Sequence, residues 1–302
     1  MRFIPALAVL PLLAACSLNA PQIPPPPAGE TASLADILGA SKSEEWRSID
    51  PENTIYMDFP KGRVIIEMAP DFAPNHVANV KALSREGYFR GGAVTRVQDN
   101  YVAQWAQAAD PERPPKVGKE KLKAEFTRPR NATIAFNPLP DPDTYASEVG
   151  FSNGFAIARD SQSMWLTHCY GVVGVGRDND EDSGGGTELY AIIGTPARGL
   201  DKNITVLGHV VQGIELLSSL PRGTGDLGFY KTPGEYAHFA DIKVAADIPA
   251  AERTNLEELR TDSDTFAKLV NSRRWRKDAF YHRPAGRISL CNIAVPVREK
   301  KK

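Results

Sequence analysis

The chain has 302 residues, of which 42% are hydrophobic, 24% charged and 8% aromatic, the balance of a globular protein rather than of a disordered or membrane-embedded one. Lys+Arg 36 against Asp+Glu 37 nearly cancel, so no global positive field draws the protein onto nucleic acid and no polyanionic partner is expected. Gly and Pro, 24 each, stay below the roughly 25–30% of a low-complexity chain and predict frequent turns instead.

In chain order, Met1-Arg2, an apolar run from Phe3 to Ala15, and Cys16 have the charged start and short greasy stretch of a secretory signal. The run is shorter than the roughly 20 residues that span a bilayer. Leu13-Ala14-Ala15-Cys16 resembles a bacterial lipobox, which implies removal of residues 1–15 and acylation of Cys16; the plainer alternative is an ordinary cleaved signal. Several acyl chains would hold the protein stably on a membrane, and Ser17 in place of Asp implies the periplasmic side of the outer membrane. Residues 16–50, with Pro21 and the run Pro24 to Pro27, read as a polyproline tether, interrupted by a short helix over Leu34 to Leu38. With Cys16 assigned to lipid, Cys169 and Cys291 remain, either as a disulfide in an oxidising compartment or as two buried thiols. A bridge would close a loop worth about 4–5 kcal/mol in the chain-entropy picture.

Thr54 to Phe59 and Arg63 to Met68, separated by Pro60-Lys61-Gly62, predict a hairpin. His76 to Ser84 predicts a helix with Val77, Val80 and Leu83 on one face, ended by Gly87. Strands are expected over Ala93–Val97, Val102–Gln104, Asn131–Phe136, Gly154–Ala158, Gly171–Gly176, Leu189–Ile193, Ile204–Val210 and Asp241–Val244. Ile214, Leu217 and Leu220 suit a short second helix stopped by Pro221. Many short strands and few helices argue for a β-barrel or sandwich. Beyond it, 251–260 and 262–277 read as helical and 287–297 as a last strand, an accessory extension over 248–302.

This order of elements, and the residues on them, resemble the cyclophilins, the barrel-type peptidyl-prolyl isomerases. Val64-Ile65-Ile66-Glu67-Met68-Ala69-Pro70 and Asn79 to Leu83 are similar to the family's opening strand and first helix. Val94-Thr95-Arg96-Val97, followed by Tyr101, Val102 and Gln104, resembles its Phe-His-Arg-Val signature. Gly186-Thr187-Glu188-Leu189-Tyr190 and Leu200 to Gly208 resemble the two later strands of the site. The resemblance implies a mainly β fold, an eight-stranded closed barrel capped by two helices, occupying residues 51–247, with an insertion over 108–170. It departs from the family at Thr95 for His, Glu188 for Gln, Trp105-Ala106-Gln107 for Gly-Gly-Asp, and Gly199 where many members carry a bulky aromatic.

Prolyl isomerisation breaks no covalent bond; it rotates an amide against a barrier of roughly 18–20 kcal/mol. A group that hydrogen-bonds the proline nitrogen as conjugation is lost favours the twisted state alone. The resemblance gives this role to Arg96, the proline slot to Tyr101, Val102, Tyr190 and Leu200, and the grip on substrate backbone to Gln104. Glu188 either shares that grip, orients Arg96, or pairs with Arg96 and draws it from substrate. The expected activity is therefore isomerisation of X-Pro bonds in exported polypeptides, with no cofactor and no metal. The alternative is a catalytically weak proline-peptide binding or assembly module. A third class, a metal-dependent hydrolase, would rest on the acidic loop Arg177 to Gly186, whose spacing fails the EF-hand pattern. The glycine run Gly171 to Gly176 lacks the Lys-Ser/Thr of a phosphate loop, and His168-Cys169 is a weak signal for a thiol nucleophile.

Overall fold

The computed structural model describes residues 31–131 and 133–300. The signal segment, Cys16 and the first half of the tether lie outside the described residues.

The larger layer is one antiparallel sheet of nine strands. Their spatial order is Ala237–His238, Ala93–Val97, Val102–Ala106, Glu188–Ile192, Val172–Val175, Val206–Gln212, Gly62–Met68, Thr54–Phe59 and Ile242–Val244. Period-2 alternation sends Val64, Ile66, Ala103, Trp105, Leu189 and Ala191 into one continuous core. Helices Pro74–Arg85 and Ile214–Ser218 add Val77, Val80, Leu83 and Leu217 to it. The mainly β class stands, but the eight-stranded closure does not. The two edge strands are consecutive in sequence and share no ladder. The residues between them serve both edges instead: the Phe239 amide donates to the Gly92 carbonyl (3.1 Å) and the Ala240 amide to that of Asp58 (2.9 Å). The result is a curled, open half-barrel.

A second core lies beside it. The insertion folds into a five-stranded sheet, in the order Arg128–Pro129, Ser163–Leu166, Phe155–Arg159, Glu148–Ser152, Asn137–Pro138. Helix Asp264–Arg274 packs Phe266 and Leu269 on Phe151, Ile157 and Trp165 of that sheet, and Arg274 makes a buried fork on Asp141 at 2.7 and 2.9 Å. Trp46 and Ile37 join the same core. The stretch expected as tether is therefore folded from residue 33 onward: Ser33 caps helix Leu34–Gly39, and strand Trp46–Ser48 pairs with Leu256–Leu259. That pairing also replaces the expected helix over 251–260, because Leu256–Leu259 is the middle strand of a three-stranded sheet ending in Val297–Glu299. Of the strand expected over 131–136, residues 133–136 are turn and irregular backbone instead. A disulfide joins Cys169 to Cys291 across 122 residues with Cα atoms 5.0 Å apart, tying the end of the insertion to the extension.

Candidate active site

The outer face of the half-barrel carries the residues that alternation excludes from its core. Across three neighbouring strands, Arg96 stands opposite Gln104 and Gln104 opposite Tyr190. Val102, two residues from Gln104, stands opposite Ile192. Thr95 is an extra residue between the pairs Val94↔Trp105 and Arg96↔Gln104. This bulge turns Arg96 outward, as an unpaired strand residue commonly re-aims its neighbour. Arg96, Val102, Gln104 and Tyr190 line a cleft of about 530 Å³ together with Tyr101, Glu188, Leu200 and Phe229, a size that suits a short peptide segment.

One end of the cleft is apolar. Val102, Tyr190 and Ile192 are buried there, with Tyr101, Leu200 and Ile204 packed against them. The other end is the guanidinium of Arg96. Its Nε donates to the Leu227 carbonyl (2.7 Å), its Nη1 to Gln104 Oε1 (3.0 Å), and its Nη2 to Gln98 Oε1. An arginine has five N–H donors, so two remain for a ligand. Burial lowers the Arg96 pKa, with Tyr101 and Glu188 opposing; a guanidinium stays charged through such a shift.

Glu188 makes no ion pair with Arg96 among the described residues. It accepts a hydrogen bond from Gln104 Nε2 at 2.7 Å, which turns the amide so that its oxygen faces Arg96. The carboxylate thus orients Gln104, and Gln104 orients Arg96.

Every residue expected at the site lies in this one cleft. Gln98, the Leu227 carbonyl and Phe229 complete it and were not foreseen. Phe229 lies 5.3 Å from the Arg96 guanidinium carbon, ring centre to Cζ, and Tyr101 5.7 Å, both within cation–π range. Gln98 follows Arg96 by two residues, so strand periodicity could have placed it on the same face. Leu227 and Phe229 sit on a distant loop, and no local pattern announces them. Gly199 is exposed, and a Cβ built there would meet nothing within 4 Å, so this part of the rim is open.

Two carboxylates of the acidic loop cap backbone amides: Asp180 accepts from the Asp182 amide (3.2 Å) and Asp182 from the Ala124 amide (2.8 Å). Among the described residues, one group of three ligand-type side chains lies within 4.8 Å, namely Glu67, His209 and Glu258. Arg47 already occupies it, with Nη1 2.7 Å from Glu67 and Nη2 on Glu258.

The sequence matches the family described as cyclophilin type peptidyl-prolyl cis-trans isomerase/CLD over residues 54–235. The chain belongs to the cyclophilins. Two relatives, each described as a probable peptidyl-prolyl cis-trans isomerase, come from Brucella suis and Brucella abortus; each is 29% identical over 203 residues, covering 67% of this chain and 88% of the relative. Among solved structures, the cyclophilin AquaCyp293 from Hirschia baltica is similar at 26% identity and a TM-score of 0.69, covering 90% of this chain and 99% of its own. That likeness extends well past residues 54–235, into the segments that flank the family match. This cyclophilin is thus a peptidyl-prolyl isomerase whose half-barrel bears a second lobe.

Proposed function

We propose that this cyclophilin isomerises X-Pro bonds of polypeptides exported to the cell envelope, with Arg96 as its catalytic group. The proline ring enters the slot of Tyr101, Val102, Tyr190 and Leu200. The two uncommitted N–H groups of Arg96 meet the substrate: one holds the carbonyl, and the other donates to the proline nitrogen as the amide twists and its lone pair is freed. That last bond exists only away from planarity, so it lowers the barrier rather than the ground state. Gln104, held by Glu188, fixes the guanidinium and lies within reach of the substrate backbone. The observation that carries the reading is a guanidinium fixed by three neutral oxygens, with no carboxylate partner among the described residues, beside an apolar slot.

Exchange NMR on an Ala-Pro peptide tests it. Arg96→Ala should slow the catalysed exchange by about a hundredfold, as loss of a preorganised donor does; equal rates would remove the mechanism. The open rim at Gly199 favours a second reading, a proline-peptide binding module with modest turnover. Peptide binding without any acceleration of exchange by the wild-type protein would select it.

Envelope attachment rests on Cys16. Membrane fractionation should find the wild-type protein in the outer membrane and Cys16→Ala in the periplasm. A Cys16→Ala protein that stays membrane-bound would rule the anchor out. No described helix is long and apolar enough to cross a membrane.

A further inference from the structure

Behind the proline slot lies a buried polar chain that the isomerase reading leaves unused. The Tyr190 hydroxyl is 3.1 Å from His168 Nε2. His168, fully buried, places its Nδ1 3.1 Å and its backbone amide 2.9 Å from Asp201 Oδ1. The other Asp201 oxygen accepts from Arg198 Nε at 2.6 Å, and the two terminal nitrogens of Arg198 grip Asp143 at 2.9 and 3.0 Å. The chemistry orders the chain. Asp201 accepts the Nδ1 proton, and in the Nδ1–H tautomer that this favours His168 Nε2 accepts from the Tyr190 hydroxyl.

Room has been left for that hydroxyl. A Cβ on Gly174, across the ladder from Tyr190, would fall 2.3 Å from its oxygen. At the other end, Arg198 and Asp201 flank the short turn Arg198–Leu200 that presents Leu200 to the slot. Two slot walls, Tyr190 and Leu200, thus hang from one network. Asp143 and His168 both belong to the insertion.

We infer that Asp143 and His168 are positioning residues of this isomerase, through which the insertion sets the width of the proline slot from behind. The inference rests on the proposed slot and extends it. The insertion becomes part of the specificity apparatus, because proline fits only while Tyr190 and Leu200 keep their spacing.

The test measures both Kd for an Ala-Pro peptide and bound-state exchange rate by NMR, on full-length wild type, His168→Leu, His168→Gln, Asp143→Asn and Tyr190→Phe. His168→Leu and Asp143→Asn should weaken binding about tenfold, the scale of a displaced contact wall, while the bound-state exchange rate, which belongs to Arg96, stays within about twofold. His168→Gln, which retains hydrogen-bonding capacity, should recover part of the loss. In a Tyr190→Phe background His168→Leu should cost clearly less than in wild type, since the Tyr190 arm has already been cut and only the Asp201 arm toward Leu200 remains. Variants that only melt earlier, with Kd unchanged, would overturn the inference, and so would additive effects of His168→Leu and Tyr190→Phe. Should His168→Leu fail to fold, Asp143→Asn and Tyr190→Phe decide it. Failure of the catalytic reading would show separately, as Arg96→Ala matching wild type in exchange while the binding comparison still stands.

Discussion

At the scale of single residues, the site depends on which oxygens touch Arg96. Gln98, Gln104 and the Leu227 carbonyl are neutral, so they fix the guanidinium without cancelling its charge. Glu188 supplies its negative charge one residue further out, through Gln104. Of the roles the sequence leaves open for Glu188, this geometry fits the orienting one, exerted through Gln104. Gly199, next to Leu200 of the cleft, is different, because a side chain there would meet nothing within 4 Å. Gly199→Trp should add a wall and tighten binding of an Ala-Pro peptide several-fold, since a buried aromatic face contributes about 1 kcal/mol or more; isothermal titration would show it, and unchanged affinity would mean that the rim is not used. Arg96, Gln104 and Tyr190 were legible in sequence because the motifs that carry them resemble the cyclophilin pattern, and the strand register brings them together. Phe229 and Leu227 were not, since their contact with Arg96 is made by a loop about 130 residues away in sequence.

Between elements, charge rather than hydrophobic pattern sets the geometry. Glu125 of the insertion accepts from the amides of Asn75 and His76 at the start of helix Pro74–Arg85, at 3.1 and 3.0 Å, satisfying donors that a helix start leaves open. Where strands Trp46–Ser48, Gly62–Met68, Val206–Gln212 and Leu256–Leu259 meet, Arg47 faces two buried carboxylates. Burial, with help from the neighbouring Glu67 charge, raises the Glu258 pKa from 4.5 to about 7, against the pull of His209 and Arg47, and its Oε1 has no hydrogen-bond partner among the described residues. A carboxyl whose folded pKa is raised stabilises the fold most below its unfolded pKa and loses that contribution as pH rises through the folded one. Thermal melts should accordingly show wild type losing stability between pH 5 and pH 8, by up to about 3 kcal/mol. Glu258→Gln, which has no proton to lose, should flatten that slope; parallel profiles would refute the assignment. The Arg47 cluster was not readable from the sequence, because Arg47 reads there as tether and Glu258 as helix, and only the tertiary meeting of four strands makes the cluster.

For the whole molecule, the mainly β class and the two helices followed from periodicity and from the family pattern, whereas the open edge of the nine-stranded sheet did not. The second lobe did not, because its core draws on residues 33–48, the insertion and the last fifty residues together. Leu256–Leu259 carries two glutamates between leucines, a pattern as compatible with a helix as with a strand until Trp46–Ser48 arrives to pair with it. The Cys169–Cys291 bridge spans 122 residues, and replacing both cysteines by serine should cost about 4–5 kcal/mol on the loop-length scale. Urea unfolding of the oxidised protein against the double variant would measure it, and coincident curves would assign the lobe's stability to packing alone.

The pairing of Trp46–Ser48 with Leu256–Leu259 also sets a timetable. A chain delivered N-terminus first has its first lobe strand in place long before that strand's partner exists, so the lobe waits for nearly the whole polypeptide. Until then Trp46, Phe151 and Trp165 lack the extension that covers them. The insertion that grips the proline slot thus gains its support late, and the enzyme's own substrate site is set only once the strands Leu256–Leu259 and Val297–Glu299 have been made.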